Sequence, residues 1–321
     1  MKLGMVGLGK MGANMTKRLI AGGHDVVVTD LSDDAVKEAA DNGAIASSSL
    51  EDLVGKLDSP KIVWVMVPSG KPTTSTLDNL GNLLDEGDIV IDGGNSNYKL
   101  TMEHAESLAE KGINMIDVGT SGGVWGLKEG YSMMVGGAKD NVEHISPILK
   151  TLAPAEDKGW GYVGPNGSGH FVKMVHNGIE YGMMQAYAEG FAIMKAKEEF
   201  GLDMAEISRI WQDGSVVRSW LLDLMHDAFD NDQDFDDIAA YVKLKVTDNA
   251  GNIVSTVGSS QPTAIGWYTN NTTPVLIETD ITFATTSVPI GYRMMVEVWA
   301  DNNTNQNRNV KFYTEGTSHY S

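Results

Sequence analysis

Near its start the chain runs Gly7-Leu8-Gly9-Lys10-Met11-Gly12. No other stretch restricts the fold as much. The spacing G-x-G-x-x-G is a weak signal alone. Here it follows an apolar run, Leu3–Val6, and opens an amphipathic segment, Met11–Ala21. Strand, glycine turn and helix in that order are the context that dinucleotide binding demands. Gly7 makes the tight turn. Gly9 removes a side chain so that a pyrophosphate can approach the backbone. Gly12 lets helix and strand pack closely. The helix N-terminus adds free N–H groups and the positive end of a dipole. A glycine-rich turn without function would need neither flank.

The next strand, Asp25–Thr29, leads to Asp30, 18 residues after Gly12. A carboxylate at this place accepts hydrogen bonds from the ribose 2′-hydroxyl and repels a 2′-phosphate. Positions 31–34 read Leu-Ser-Asp-Asp and hold no cation. NAD is therefore the expected cofactor, with NADP the less favoured alternative. The competing role for Asp30 is a cap on the following helix.

Apolar runs at Ile62–Val67, Ile89–Ile91 and Asn114–Val118 continue the strand pattern. Helical stretches Ala35–Asn42 and Met102–Lys111 lie between, the latter closed by Gly112. Such alternation predicts a parallel sheet covered on both faces. From His170 to Phe200 there is no proline, and a long helix is expected, followed by Met204–Gln212 and Ser219–Phe229. Composition changes again near Lys243: the last 79 residues hold 13 Thr and 9 Asn. The runs Lys243–Val246, Val275–Ile277 and Met295–Trp299 favour strands. Turns are marked by 249–252 and 301–305. The fold class is thus an α/β Rossmann-type doubly wound domain (1–165), an all-α domain (166–242) and a small all-β module (243–321).

The chain has 321 residues, no cysteine and a formal charge of −19. Disulfides, thiolate metal sites and cysteine nucleophiles are excluded. Such acidity argues against a nucleic-acid partner. No apolar run is long enough for a membrane helix, and the glycine motif begins too early for a signal peptide. A cytoplasmic protein is expected. Residues 1–242 carry a net −18, so an anionic substrate needs local cations in its pocket. The acidic stretch Asp230–Asp237 fails the calcium-loop pattern, because Phe235 and Tyr241 stand at the glycine and acid positions. No metal site is expected. The sequons at Asn270, Asn271 and Asn302 read as chance matches.

Three further segments stand out. They are Asp92-Gly93-Gly94-Asn95-Ser96-Asn97-Tyr98, Gly119-Thr120-Ser121-Gly122-Gly123, and Lys173-Met174-Val175-His176-Asn177-Gly178-Ile179-Glu180-Tyr181. The first two follow strand ends, where ligands bind in open α/β sheets. In the third, Lys173, His176, Asn177 and Glu180 share one helix face. Lys173 and Glu180 differ by roughly 10 Å in height, so their tips reach different atoms of one small substrate. An acid–base pair split this way suits a two-step reaction. The apolar neighbours Met174, Val175 and Ile179 predict a buried helix, and buried Lys and Glu are seldom structural. A salt-bridged surface helix is the alternative.

These four motifs together resemble the 6-phosphogluconate dehydrogenases, in particular their short bacterial-type branch, over residues 1–242. The resemblance implies the roles that follow. Lys173 is the general base and acid at the 3-hydroxyl, and Glu180 is the acid that protonates C1 of the enediol. Ser121, Gly122 and Gly123 form the carboxylate loop. His176 and Asn177 hold the substrate hydroxyls and carboxylate region, and Asn95 lies beside cofactor and substrate. Tyr181 and Arg218 contact the phosphate. Arg218 also supplies the cation that the charge argument asks for. Leu8, Lys10, Met11 and Val67 join the three glycines, Asp30 and Asn95 as cofactor contacts. The implied reaction is oxidative decarboxylation of 6-phosphogluconate to ribulose 5-phosphate, in a homodimer or higher homo-oligomer.

The chain departs from the family after Val242. There the family continues into more helices, which complete the α-domain and much of the dimer contact. This chain enters Lys243-Leu244-Lys245-Val246 and stays β-like. A module of this kind can cover helix faces, promote oligomerisation or bind a ligand of its own. Two other functions fit the sequence. One is a β-hydroxyacid dehydrogenase of the 3-hydroxyisobutyrate type, which usually lacks the Glu180–Tyr181 continuation. The other is a non-catalytic binding or structural protein carried by the β module.

Overall fold

The structure, a computed structural model, describes residues 1–231 and the strand backbones of 238–247, 253–259, 263–264, 293–302 and 310–314. Two compact units divide inside a long helix, Met1–Tyr181 and Gly182–Ser321.

The first unit opens with β1 (Lys2–Val6), α1 (Lys10–Ala21), β2 (Asp25–Thr29), α2 (Asp33–Asp41), β3 (Ile45–Ala46) and α3 (Leu50–Gly55). It continues with β4 (Ile62–Val65), α4 (Lys71–Leu80), β5 (Ile89–Asp92), α5 (Tyr98–Ala109) and β6 (Asn114–Ser121). Then follow α6 (Gly126–Glu129), β7 (Ser132–Gly137), α7 (Lys139–His144), α8 (Ser146–Leu152), β8 (Trp160–Gly164) and the start of α9 (Ser168–Lys195). The sheet order is β3-β2-β1-β4-β5-β6-β7-β8. The first six strands are parallel; β7 pairs antiparallel with β6, and β8 runs parallel to β7. The chain therefore builds the Rossmann-type order, with two extra strands on the β6 edge.

Period-two alternation explains the apolar strands. Val26, Val28, Trp64, Ile89 and Ile91 join one core, while Val27, Val63, Val65 and Val90 join the other. Both sheet faces are covered, so the strands are apolar at nearly every position. Each fully buried Val, Leu or Ile contributes about 1.5–3 kcal/mol. Exposed ion pairs such as Lys17–Glu38 contribute about 1 kcal/mol at most. The cores hold this unit together.

Side chains set the helix starts. Ser32 caps α2 and Ser49 caps α3. Asn97 accepts from the Lys99 N–H, so α5 begins at Tyr98, one turn before the expected Met102. It closes as expected at Gly112, which has φ +73°. There the Ile113 N–H donates to Leu108 O, the Schellman pattern.

In the second unit, the rest of α9 is followed by α10 (Met204–Gln212) and α11 (Trp220–Asn231). They enclose Phe191, Met204, Ala205, Leu222 and Phe229. Phe191 meets Trp211 edge-on at 5.4 Å. Beyond them lie β9 (Ile238–Thr247), β10 (Ile253–Ser259), β11 (Thr263–Ala264), β12 (Arg293–Asn302) and β13 (Val310–Thr314). These strands form one antiparallel sheet, with β9 and β12 paired along their length. Of the turn expected at 301–305, Asp301 and Asn302 instead end β12. Its other residues, the run Val275–Ile277, the turn at 249–252, the sequons at Asn270 and Asn271, and residues 232–237 of the acidic stretch lie outside the described residues.

Candidate active site

The glycine loop is built as its spacing demands. Gly7 has φ +97°, and its N–H donates to Thr29 O. A Cβ on Gly12 would stand 2.0 Å from Gly7 O, so only glycine lets α1 close on the loop. A Cβ on Gly9 would meet nothing within 4 Å. That open cradle lies at the α1 N-terminus, where a dinucleotide pyrophosphate fits. Leu8 is buried, Met11 half-buried and Lys10 exposed. Val67 lies between this loop and Gly94, two residues past the end of β4.

Asp30 ties the loop to the end of β2. Its Oδ2 accepts from the Leu8 N–H at 2.6 Å, and its Oδ1 from the Ser32 N–H at 2.8 Å. Leu31 beside it is fully exposed. Asp30 does not cap α2, because Ser32 takes that place.

Two loops rise from the C-terminal ends of β5 and β6. After β5, the buried Asp92 accepts from the Gly94 N–H at 3.0 Å. Trp64 packs against Gly93, where a Cβ would stand 2.1 Å from its Nε1. Asn95 reaches the surface and accepts from Asn177 Nδ2 at 3.2 Å. Ser121 ends β6 and is followed by Gly122 with φ +122° and Gly123 with φ +50°. Space around a Cβ on Gly123 is open.

Helix α9 is seated on β6 and β7 by glycines and one carboxylate. A Cβ on Gly119 would approach Lys173 Cβ to 2.4 Å and Gly169 O to 2.6 Å. Gly169 and Gly136 leave room in the same way. Asp117, fully buried, accepts from the Gly167 N–H at 2.8 Å and the His170 N–H at 3.0 Å. It satisfies donors that the first turn of α9 would otherwise leave orphaned. His170 is buried too, with Nδ1 2.8 Å from Thr101 Oγ1.

One turn further on, Lys173 is only 8% exposed. Its Nζ lies 3.3 Å from His176 Nδ1. The same Nδ1 lies 3.3 Å from Asn177 Oδ1 and 3.7 Å from Glu180 Oε2, and Nε2 lies 3.3 Å from Ser121 Oγ. Lys173, His176, Asn177, Glu180, Ser121 and Asn95 thus form one connected polar cluster. Burial lowers the Lys173 pKa below its usual value, and the Glu180 charge works against that shift. A buried amine of lowered pKa can act as a base.

The helix as a whole is not buried in this chain. Met174, Val175 and Ile179 are 49%, 45% and 60% exposed. The apolar pattern was a sound sign of one apolar face, but that face finds no cover among the described residues of its unit. Only the Lys173 side is buried, because Gly119 admits it to the sheet. Tyr181 ends the first unit and is exposed. Arg218 lies in the second unit, exposed, between α10 and α11.

The model of the NAD binding domain of 6-phosphogluconate dehydrogenase matches residues 2–164. The chain belongs to the 6-phosphogluconate dehydrogenase family. The model of that family's C-terminal domain matches residues 169–200 and 186–265, past the residue where the motif resemblance stops. The NAD(+)-dependent decarboxylating 6-phosphogluconate dehydrogenase of Haloferax volcanii is 44% identical over 71% of this chain and 75% of its own. A Staphylococcus epidermidis decarboxylating 6-phosphogluconate dehydrogenase is 41% identical over 78% of this chain, which spans 54% of that relative. The Plasmodium falciparum 6-phosphogluconate dehydrogenase superposes with a TM-score of 0.65 at 29% identity, over 71% of this chain and 50% of that one.

At this site the sequence reading missed Asp117 and Tyr131, and it named Gly119 in its loop motif without its part in seating Lys173. Asp117 had a signal, a lone acid inside the apolar strand Met115-Ile116-Asp117-Val118. Tyr131 is fully buried beneath Gly126, and burial pushes its phenol up to about 12. Among the described residues no helix can cross a membrane, and no group of three or more His, Cys, Asp or Glu could hold a metal ion.

Proposed function

We propose that this chain oxidises and decarboxylates 6-phosphogluconate to ribulose 5-phosphate and CO₂, with NAD as the hydride acceptor. The observation that carries this reading is the buried Lys173, linked through His176 to Ser121 and Glu180. The dinucleotide, when bound, accepts hydride from C3. Gly7, Leu8, Gly9, Lys10, Met11, Gly12 and Val67 would hold it, with Asp30 at the ribose and Asn95 toward the nicotinamide.

Lys173 enters as the neutral amine and takes the 3-hydroxyl proton while C3 becomes a carbonyl. A 3-keto acid breaks its C1–C2 bond readily, and the bond electrons pass toward the C3 oxygen as CO₂ leaves. The protonated Lys173 returns its proton to that oxygen, giving an enediol. Glu180 then protonates the carbon that becomes C1 of the product, while the neutral Lys173 takes the enediol O–H proton back and the carbonyl re-forms. Ser121 and the N–H groups of Gly122 and Gly123 receive the carboxylate, and His176 and Asn177 hold hydroxyls. Tyr181 and Arg218 take the phosphate. We read the chain as three modules, 1–165, 166–242 and 243–321, working as a cytoplasmic homo-oligomer.

The test is NADH formation when 6-phosphogluconate is added to enzyme and dinucleotide. No turnover, or turnover of 3-hydroxyisobutyrate instead, rejects the substrate assignment. Asp30 would oppose a 2′-phosphate at a cost of several kcal/mol, so kcat/KM for NAD is expected to exceed that for NADP by about tenfold or more. Equal values would remove Asp30 as the selector.

The pH profile gives a second expectation. Neutral Lys173 is the active form, so kcat/KM should rise as pH rises through its lowered pKa. Glu180 holds that pKa up. In Glu180→Gln the acidic limb is therefore expected to move to lower pH, besides a fall in kcat. A limb that stays in place or moves upward would show that Lys173 does not set it.

A further inference from the structure

The loop that carries Ser121, Gly122 and Gly123 is held from two sides. On one side Ser121 meets His176 of α9. On the other, its continuation is tied to α1, the helix that starts at the glycine loop. Asn14 Nδ2 donates to Val124 O at 3.4 Å, and Arg18 Nη1 donates to Leu127 O at 3.3 Å. Arg18 also donates through Nε to Thr151 O at 2.9 Å and through Nη2 to Ala153 O at 2.6 Å. The guanidinium thus joins α6 to the C-terminal end of α8, where carbonyls lack helical partners and favour a cation. The Tyr131 N–H donates to Leu152 O and closes the segment onto the same end of α8. Tyr131 is the floor: a Cβ on Gly126 would stand 2.0 Å from its ring.

Residues 122–131 therefore have a rigid floor and two tethers, both on the dinucleotide helix. Neither Asn14 nor Arg18 belongs to the glycine motif. Arg18 is nine residues from Gly9, about 13 Å along the axis. Its guanidinium is bound to backbone carbonyls, not to a carboxylate that would make it a simple ion pair.

We propose that Arg18 is a positioning residue that couples the two ligands of this site, by fixing the carboxylate loop to the helix on which the dinucleotide rests. The proposal rests on 6-phosphogluconate as the substrate. Ordering of α1 by the dinucleotide lowers the ordering cost left for the loop, and the reverse holds by linkage. Dinucleotide and substrate then tighten each other's binding.

The coupling can be read without turnover, from NADH fluorescence titrated alone and with saturating 6-phosphogluconate. The wild-type chain is expected to bind NADH about fivefold or more tightly when the sugar acid is present. Arg18→Met should keep the Kd for NADH alone within about twofold and lose the coupling. Arg18→Lys should restore part of it, since an ammonium still reaches some of the carbonyls. Asn14→Ala, a milder change at the other tether, should weaken the coupling even if Arg18→Met fails to fold. Undiminished coupling in Arg18→Met, or in Asn14→Ala where Arg18→Met is unfolded, overturns the proposal. So does a wild-type enzyme that turns over but shows no coupling. A wild-type chain that binds NADH and ignores 6-phosphogluconate in both titration and turnover overturns the substrate assignment first.

Discussion

Replacing Lys173 by methionine is expected to lower kcat with 6-phosphogluconate and NAD by about 10³-fold, the range of a lost general base and acid. Methionine is close in length and leaves the apolar stem contacts against Gly119 in place. The Kd for NAD should not change, because the glycine loop and Asp30 do not touch Lys173. Stability should not fall either. The folded chain holds the Lys173 pKa below that of the unfolded chain, chiefly through burial. The ammonium is thus the form that folding disfavours. That cost is present at pH below the folded pKa and is relieved as pH rises through it toward the unfolded value. At neutral pH the variant should melt no lower than the wild type. Steady-state kinetics, an NAD titration and a melting curve on one preparation check all three. A variant that keeps wild-type turnover removes Lys173 from the chemistry.

Asp117→Ala is expected to damage the fold as well as the rate. The carboxylate is fully buried, and it accepts two backbone N–H groups at the start of α9. Alanine leaves both donors buried without a partner. Hydrogen bonds to a charged group contribute about 1.5–3 kcal/mol each, so a loss of roughly 3 kcal/mol or more is expected. That corresponds to a urea midpoint lower by about 1 M or more. Lys173 lies one turn beyond His170, so kcat should fall too, as the base loses its height above β6. Asp117→Asn keeps one acceptor and should fall between alanine and the wild type. An unchanged midpoint in Asp117→Ala would show that water or a shifted helix end satisfies those donors.

The two variants separate what was legible in the residues from what was not. Lys173 stood out because its neighbours at 176, 177 and 180 repeat with the helical period. Asp117 lies 50 residues from Gly167 in the chain. No local pattern joins them; only the course of β6 beneath α9 does. The same holds for Gly119, whose missing Cβ is explained by a lysine far along the chain. The strands β1, β2, β4, β5 and β6 were readable because burial on both faces makes them apolar runs. By contrast β7 and β8 carry Gly136, Gly137, Gly161 and Gly164, which read as turns when seen locally. Helix α9 shows the opposite error. Its apolar residues predicted burial, but hydrophobic period says only which face is apolar, not what covers it.

By itself, the sequence determined the dinucleotide cradle, because backbone freedom at Gly7 and Gly12 is a property of single residues and their immediate neighbours. It also placed Lys173 and Glu180 on one helix face, because helical geometry is local. Tertiary structure alone decided that Lys173 is buried while Met174 and Ile179 are not, and that Arg18 ties the segment after β6 to α1. Desolvation and cross-chain hydrogen bonds depend on atoms that distant segments bring together, and no window of sequence contains them.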